Sequence, residues 1–195
     1  MSSLKKDTIF LLFVGSILPF SITYCYQQDF NPQDLYSYFQ FDEAKMEIFL
    51  PSKSWTHSVE NGVVFMTDTA NPDVFAFATV LAPHPNTSFP SADTSLDEVA
   101  KTHEDILRQS PGFVKILQSE YDPLQNAYLI SSLYVREDQQ QQFTTTIFII
   151  SQGLLYSLTV DMPSSIAEEN IDVVTFLTSY FIVGEDYDMM QSSIP

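Results

Sequence analysis

Cysteine occurs once in the 195 residues, at Cys25, so the chain cannot close an internal disulfide. Glycine is nearly as scarce. The five, at 15, 62, 112, 153 and 184, are too scattered for a phosphate-cradling loop or a dinucleotide fingerprint, and Gly-x-Ser-x-Gly is absent. The imidazoles are His57, His84 and His103, and no two have the spacing that puts a pair of ligands on one metal. Basic residues are outnumbered, 8 Lys+Arg against 25 Asp+Glu, giving a net charge of -17 spread along the chain. Nucleic acid and anionic membrane surfaces are poor partners for such a field, and a protein partner is the expected one. No cofactor is expected.

Apolar residues are plentiful: 45% of the chain, with 14% aromatics, enough for the core of one domain with appendages. The longest apolar run, Ile9 to Leu18, follows Lys5 and Lys6 and is interrupted by Pro19 before the more polar Ser21 to Cys25. That is the layout of a secretory signal peptide over residues 1–25, since a spanning helix needs about 20 apolar residues. Thr23 and Cys25 supply the small residues before a cut that leaves Tyr26 first. Losing Lys5, Lys6 and Asp7 leaves the mature chain one charge more negative. Cys25 can alternatively be an acylated anchor, although the bulky Tyr24 before it suits that poorly. Without lipidation the mature chain has no expected membrane insertion, and the destination is the periplasm or the medium.

Residues 26–44 form an aromatic-rich leader in which Tyr26, Phe30, Tyr36, Tyr38, Phe39 and Phe41 lie among Gln, Asn and Asp without a clean period. Two readings stand: a leader draped over the domain, with a short helix from Pro32 to Phe39, or a docking segment for a partner. A domain over residues 45–184 then begins with a strand from Lys45 to Pro51, with Trp55 in the following turn. Strands follow at Gly62 to Thr67 and Val74 to Leu81, joined by the polar turn Asp68 to Asp73. The loop Ala82 to Pro90 is rich in proline and holds the formal sequon Asn86-Thr87-Ser88.

Ser95-Leu96-Asp97-Glu98 is a capping box opening a helix to about Gln109, with Leu96, Val99, His103, Ile106 and Leu107 as its apolar stripe. On that stripe His103 reads as a hydrogen-bonded core histidine. Phe113 to Tyr121 and Asn126 to Arg136 read as strands. Gln142 to Pro163 reads as a central hairpin turning at Ser151-Gln152-Gly153, apolar on both faces and therefore covered on both. A second capping box, Ser165 to Glu168, starts a helix burying Ile166, Val173, Val174, Leu177 and Phe181. Residues 185–195 are an acidic, flexible tail. The fold expected is α+β, a three-layer α/β/α sandwich with a mainly antiparallel sheet.

This order of strands, one helix, a four-strand meander and a final helix resembles the PsbP-like superfamily, which includes photosystem PsbP subunits, bacterial exported DcrB-type proteins and Ran-binding nuclear proteins. The similar residues are Ile48-Phe49-Leu50-Pro51 with Trp55, Thr94 to Glu98, Gly153 to Thr159 followed by Pro163, and Phe176 to Phe181. The resemblance implies an antiparallel sheet between helices and a non-catalytic protein that binds or steadies another macromolecule. It transfers no catalytic residue. Photosystem work and Ran binding are disfavoured, the first because no plastid transit peptide is evident and the second by the export signal.

The leading expectation is an exported, non-enzymatic interaction or accessory protein of the bacterial envelope or extracellular space, including a secreted effector. The docking candidates are Tyr26, Phe30, Tyr36, Tyr38, Phe39 and Phe41. Two alternatives differ in class: a secreted hydrolase with a carboxylate-lined cleft, and a carrier of a metal or small ligand. For the carrier, the Asp68 to Asp73 turn and Glu185-Asp186-Tyr187-Asp188 offer oxygen ligands without EF-hand spacing.

Overall fold

The structure, a computed structural model, describes residues 37–82 and 93–192. In chain order its strands and helices are β1 (Ser37–Phe41), β2 (Met46–Leu50), β3 (Trp55–Glu60), β4 (Val63–Asp68), β5 (Phe75–Leu81), α1 (Leu96–Gln109), β6 (Phe113–Asp122), β7 (Ala127–Val135), β8 (Gln141–Ser151), β9 (Leu154–Pro163), α2 (Ile171–Ser179), β10 (Phe181–Val183) and α3 (Glu185–Ser192). The central hairpin is β8 and β9, closed by Gln152 and Gly153 with φ of 52° and 75°. Two positive φ values in a two-residue loop match the twist of the strands on either side.

The strands divide between two antiparallel sheets rather than the single sheet expected. Seven run in the order β3-β4-β5-β9-β8-β7-β6, and three in the order β1-β2-β10. The large sheet is apolar on both faces because each is covered by something different. Alternate residues Phe143 and Ile147 of β8, and Tyr156, Leu158, Val160 and Met162 of β9, join Met46, Ile48 and Leu50 of β2 and Val174 and Leu177 of α2 in the main core. The small sheet and α2 therefore cover that face. On the opposite face Val99 and Ala100 of α1 pack with Ile130, Phe148 and Leu155. Burying a leucine such as Leu158 completely contributes about 2 kcal/mol from transfer alone.

The capping box of α1 is formed: Ser95 N–H donates to Glu98 Oε2 at 2.9 Å and Glu98 N–H to Ser95 Oγ at 3.3 Å. Ile106, expected in its apolar stripe, is 58% exposed, whereas Leu107 packs inward beside Ile116. The second capping box does not open its helix. Asn170 Nδ2 donates to the Ile166 carbonyl at 2.9 Å, so residues 164–170 turn upon themselves and α2 starts only at Ile171. Phe181, assigned to that helix by periodicity, is a buried residue of β10.

Three further differences lie at the ends and edges. Ser37–Phe41 is a strand paired with β2 from Ser37↔Leu50 to Phe41↔Met46, not the end of a helix, so the folded unit begins before Lys45. Trp55 starts a strand rather than sitting in a turn, since its backbone pairs with Asp68. The acidic residues after Gly184 form α3 instead of a frayed tail. Tyr187 is buried, donates its hydroxyl proton to Asp42 and accepts from Gln40 Nε2 at 2.6 Å. Lys45 Nζ meets Asp188 Oδ2 at 2.7 Å. No helix among the described residues is long and apolar enough to cross a membrane.

Candidate functional site

The expected docking residues are only partly within view. Tyr26, Phe30 and Tyr36 lie outside the described residues, as do Cys25, the signal-peptide residues and the Asn86 sequon. Tyr38, Phe39 and Phe41 fall on β1. Phe39 and Phe41 pack against the main core, and the Phe39 ring lies 4.2 Å from His57 of β3 and 6.2 Å from Phe41. Part of each ring is thereby spent on joining the two sheets.

The polar chemistry of the interior concentrates on the α1 face of the large sheet. Tyr134 (β7), Thr144 (β8) and Asp161 (β9) stand on three adjacent strands, with Thr144 directly opposite Asp161 in register. Tyr134 Oη donates to Asp161 Oδ2 at 2.6 Å and Thr144 Oγ1 donates to Asp161 Oδ1 at 3.2 Å. Thr146 and Thr159 continue the seam with a hydroxyl bond of 3.0 Å, and Thr79 and Ser157 with one of 2.9 Å. Burial pushes the Asp161 carboxyl up, against the pull of the Tyr134 and Thr144 hydroxyls and the positive field of Arg136. Burial and the adjacent Asp161 raise the Tyr134 phenol, so it stays protonated at any physiological pH. The result is a carboxylate used as a hydrogen-bond acceptor that ties three strands together.

Among the described residues no carboxylate pair for acid/base work is assembled in the interior. The other buried carboxylate among the described residues, Glu47, whose pKa burial also raises, belongs to the small sheet. His103 is half-buried, edge-on to Phe148 at 5.0 Å, and has no side-chain hydrogen bond among the described residues. Burial lowers its pKa while neighbouring Glu104 opposes that shift. It is thus packed as an aromatic ring and not hydrogen-bonded as expected. In the Asp68 to Asp73 turn, Asp68 Oδ1 accepts from the Ala70 N–H at 3.0 Å, a turn-forming bond. Among the described residues no three His, Cys, Asp or Glu side chains are grouped to hold a metal ion. Asp161 was missed as a site residue, although an acidic residue inside the run Leu154 to Met162 is itself a signal that something must compensate it.

Where the Tyr134, Thr144 and Asp161 groups satisfy one another, the β3 end of the large sheet is open. Val59 on β3 is 44% exposed, Phe65 on β4 40% and Leu81 on β5 48%, all within strands. Residues 56–60 are exposed throughout. A groove of about 710 Å³ at the far end, lined by Gly112, Tyr134, Arg136 and Asp138 among others, is a shallow surface feature beside the β7–β8 loop.

No protein-family model matches the sequence, and no curated protein sequence matches it significantly. Solved structures do resemble it. PsbP (CyanoP) from Synechocystis sp. PCC 6803 superposes with a TM-score of 0.53 at 12% identity, covering 75% of this chain and 91% of its own. The Ran-binding protein Mog1p of Saccharomyces cerevisiae gives 0.52 at 11% identity, covering 75% and 94%. LpqN of Mycobacterium tuberculosis, described as involved in cell envelope biogenesis, gives 0.50 at 16%, covering 76% and 91%. At these identities the likeness is one of architecture. With the ten strands of the described residues in two antiparallel sheets, α1 packed on one face of the large sheet and α2 on the other, this chain has the PsbP-like fold.

Proposed function

We propose that this protein is an exported, non-catalytic accessory protein whose task is to bind another protein. The observation that carries the reading is the contrast between the two kinds of surface. The buried polar groups Asp161, Tyr134 and Thr144 satisfy one another, whereas Val59, Phe65 and Leu81 stay exposed on regular strands, apolar surface that a partner would cover. Structural neighbours support it by analogy: one is a Ran-binding protein and another is involved in cell envelope biogenesis. Export rests on residues 1–25, and the net charge of -17 favours a basic partner. A docking role for Tyr26, Phe30, Tyr36 and Tyr38 belongs to the same proposal.

Native crosslinking in the producing cell, followed by capture of the intact-mass-defined mature chain, tests this reading. A single stoichiometric protein partner is expected, reached from outside the cytoplasm. A chain that stays cytoplasmic with its first 25 residues attached removes the export half, and failure to capture any protein removes the interaction half. Turnover in a broad hydrolase screen that vanishes in Asp161→Asn overturns the non-catalytic part.

A further inference from the structure

The two end strands of the large sheet are β3 and β6, and they are built differently. Along β6 the register with β7 slips twice, between Phe113 and Lys115 and between Ile116 and Gln118, and the strand carries Lys115 and Glu120. Bulges and charges on an end strand are the usual devices that stop another chain from pairing with it. β3 has no bulge, and its one charged residue, Glu60, stands at the very end of the strand. Its register with β4 runs unbroken from Trp55↔Asp68 to Glu60↔Val63. Its sequence Trp-Thr-His-Ser-Val-Glu has no proline and no lysine, and residues 56–60 are exposed.

The turn decides which backbone groups are free. Asn61 and Gly62, with φ of 53° and 78°, form a two-residue loop, so Glu60 and Val63 are the hydrogen-bonded pair that closes the hairpin. Bonded and non-bonded pairs alternate along an antiparallel ladder. Ser58 and Thr56 therefore also bond inward to β4, and the N–H and C=O groups of His57 and Val59 point away from it. Among the described residues these four groups have no backbone partner. Apolar surface flanks them on both faces: Val59 itself on one, and Phe65, opposite Ser58, on the other.

We propose that the β3 edge receives an extended segment of a basic partner protein, which adds an eighth strand by pairing with His57 and Val59. This rests on the interaction reading above and names its surface. The chemistry of the guest follows from the edge: alternating side chains, apolar where they lie beside Val59 or Phe65, and lysine or arginine elsewhere. Glu60 ends the edge, Asp68 is paired with Trp55 at its other end, and the chain's field is strongly negative. A second copy of this chain is a poor guest, since it brings another -17.

The test uses the full mature chain with two synthetic peptides of equal length, one alternating valine with lysine and one alternating valine with glutamate. Binding is followed by the fluorescence of Trp55, the only tryptophan, and by amide hydrogen exchange. The lysine peptide is expected to bind saturably and more weakly with added salt, and to slow exchange at His57 and Val59. Val59→Pro deletes one outward N–H without touching the ladder to β4, and is expected to weaken binding about tenfold, the worth of one hydrogen bond. Equal binding of both peptides, or saturation without protection at His57 and Val59, overturns the proposal. If Val59→Pro fails to fold, the protection pattern of the natural chain decides alone. Protection of the same amides by self-association, without peptide, assigns the edge to a second copy and overturns the basic guest. A native partner crosslinked away from β3, with these amides unprotected, removes the edge assignment and leaves the interaction reading standing; peptide protection with no native partner does the reverse.

Discussion

The hydroxyl of Tyr134 on β7 reaches across β8 to donate a 2.6 Å hydrogen bond to Asp161 on β9, while Thr144, between them on β8, donates to the other carboxylate oxygen. One acidic side chain thereby couples three consecutive strands of the sheet. Replacing Tyr134 with Phe is expected to lower stability by about 2 kcal/mol, because it leaves a buried carboxylate short of a donor. Denaturant unfolding measures this. An effect within experimental error means that solvent already serves Asp161.

Asp161 also makes stability depend on pH in a definite direction. Its carboxyl is raised in the folded chain by burial, so the folded state holds its proton more tightly than the unfolded state does. The contribution is full below the unfolded carboxyl range and is lost as pH rises through the folded value. Asp161→Asn removes that decline. Unfolding of both proteins from pH 3 to pH 7 should show the variant gaining on the natural chain as pH rises, and parallel curves would contradict the sign.

His103 acts in the opposite direction. Burial against Phe148 lowers its pKa below 6.5, so the unfolded state takes up the proton first as the medium is acidified. Stability is lost as pH falls through and below the ordinary histidine range. His103→Phe keeps an aromatic ring in place and should flatten this segment of the profile, with Glu104 the neighbouring charge that tempers the effect.

The last helix offers a separation of large from small effects. Tyr187→Ala empties a buried site and removes the hydroxyl's hydrogen bonds to Asp42 and Gln40, and is expected to cost about 3 kcal/mol. Asp188→Asn removes only the charge of a solvent-exposed carboxylate that meets Lys45 and Gln152, and should cost under about 1 kcal/mol. A thermal melt of each variant distinguishes them. Equal small losses would mean that α3 contributes little to the fold.

Gly112 links α1 to β6 with φ at +80°, and a methyl group there would overlap the carbonyl oxygen of Val135, whose N–H donates to the Gly112 carbonyl at 2.7 Å. Gly112→Ala combines left-handed strain with a backbone clash. A loss of at least about 2 kcal/mol is expected in equilibrium unfolding.

Local chemistry was legible wherever it acted within a few residues. The Ser95–Glu98 capping box and the Gln152-Gly153 turn are read from adjacent side chains and φ preferences, and both are present in the structure. The same reasoning failed at Ser165 to Glu168. There the decisive bond, Asn170 to the Ile166 carbonyl, competes with a helix start that the residues also permit. Ile106 shows a second limit: periodicity marks an apolar stripe, but only the line on which α1 meets β6, β7 and β8 decides which of its members is covered.

Alternation of apolar residues along β8 and β9 determined, without further information, that this hairpin is covered on both sides, because side chains on a strand have no choice but to alternate. The composition determined that an acidic, disulfide-free core protein results. The tertiary structure alone decided what does the covering: on one face a second sheet that recruits Ser37–Phe41 and Phe181–Val183 from opposite ends of the domain, together with α2, and on the other face α1. Pairings between residues more than a hundred positions apart leave no local signature, since each strand's sequence satisfies many possible partners and only closure of the whole core selects one.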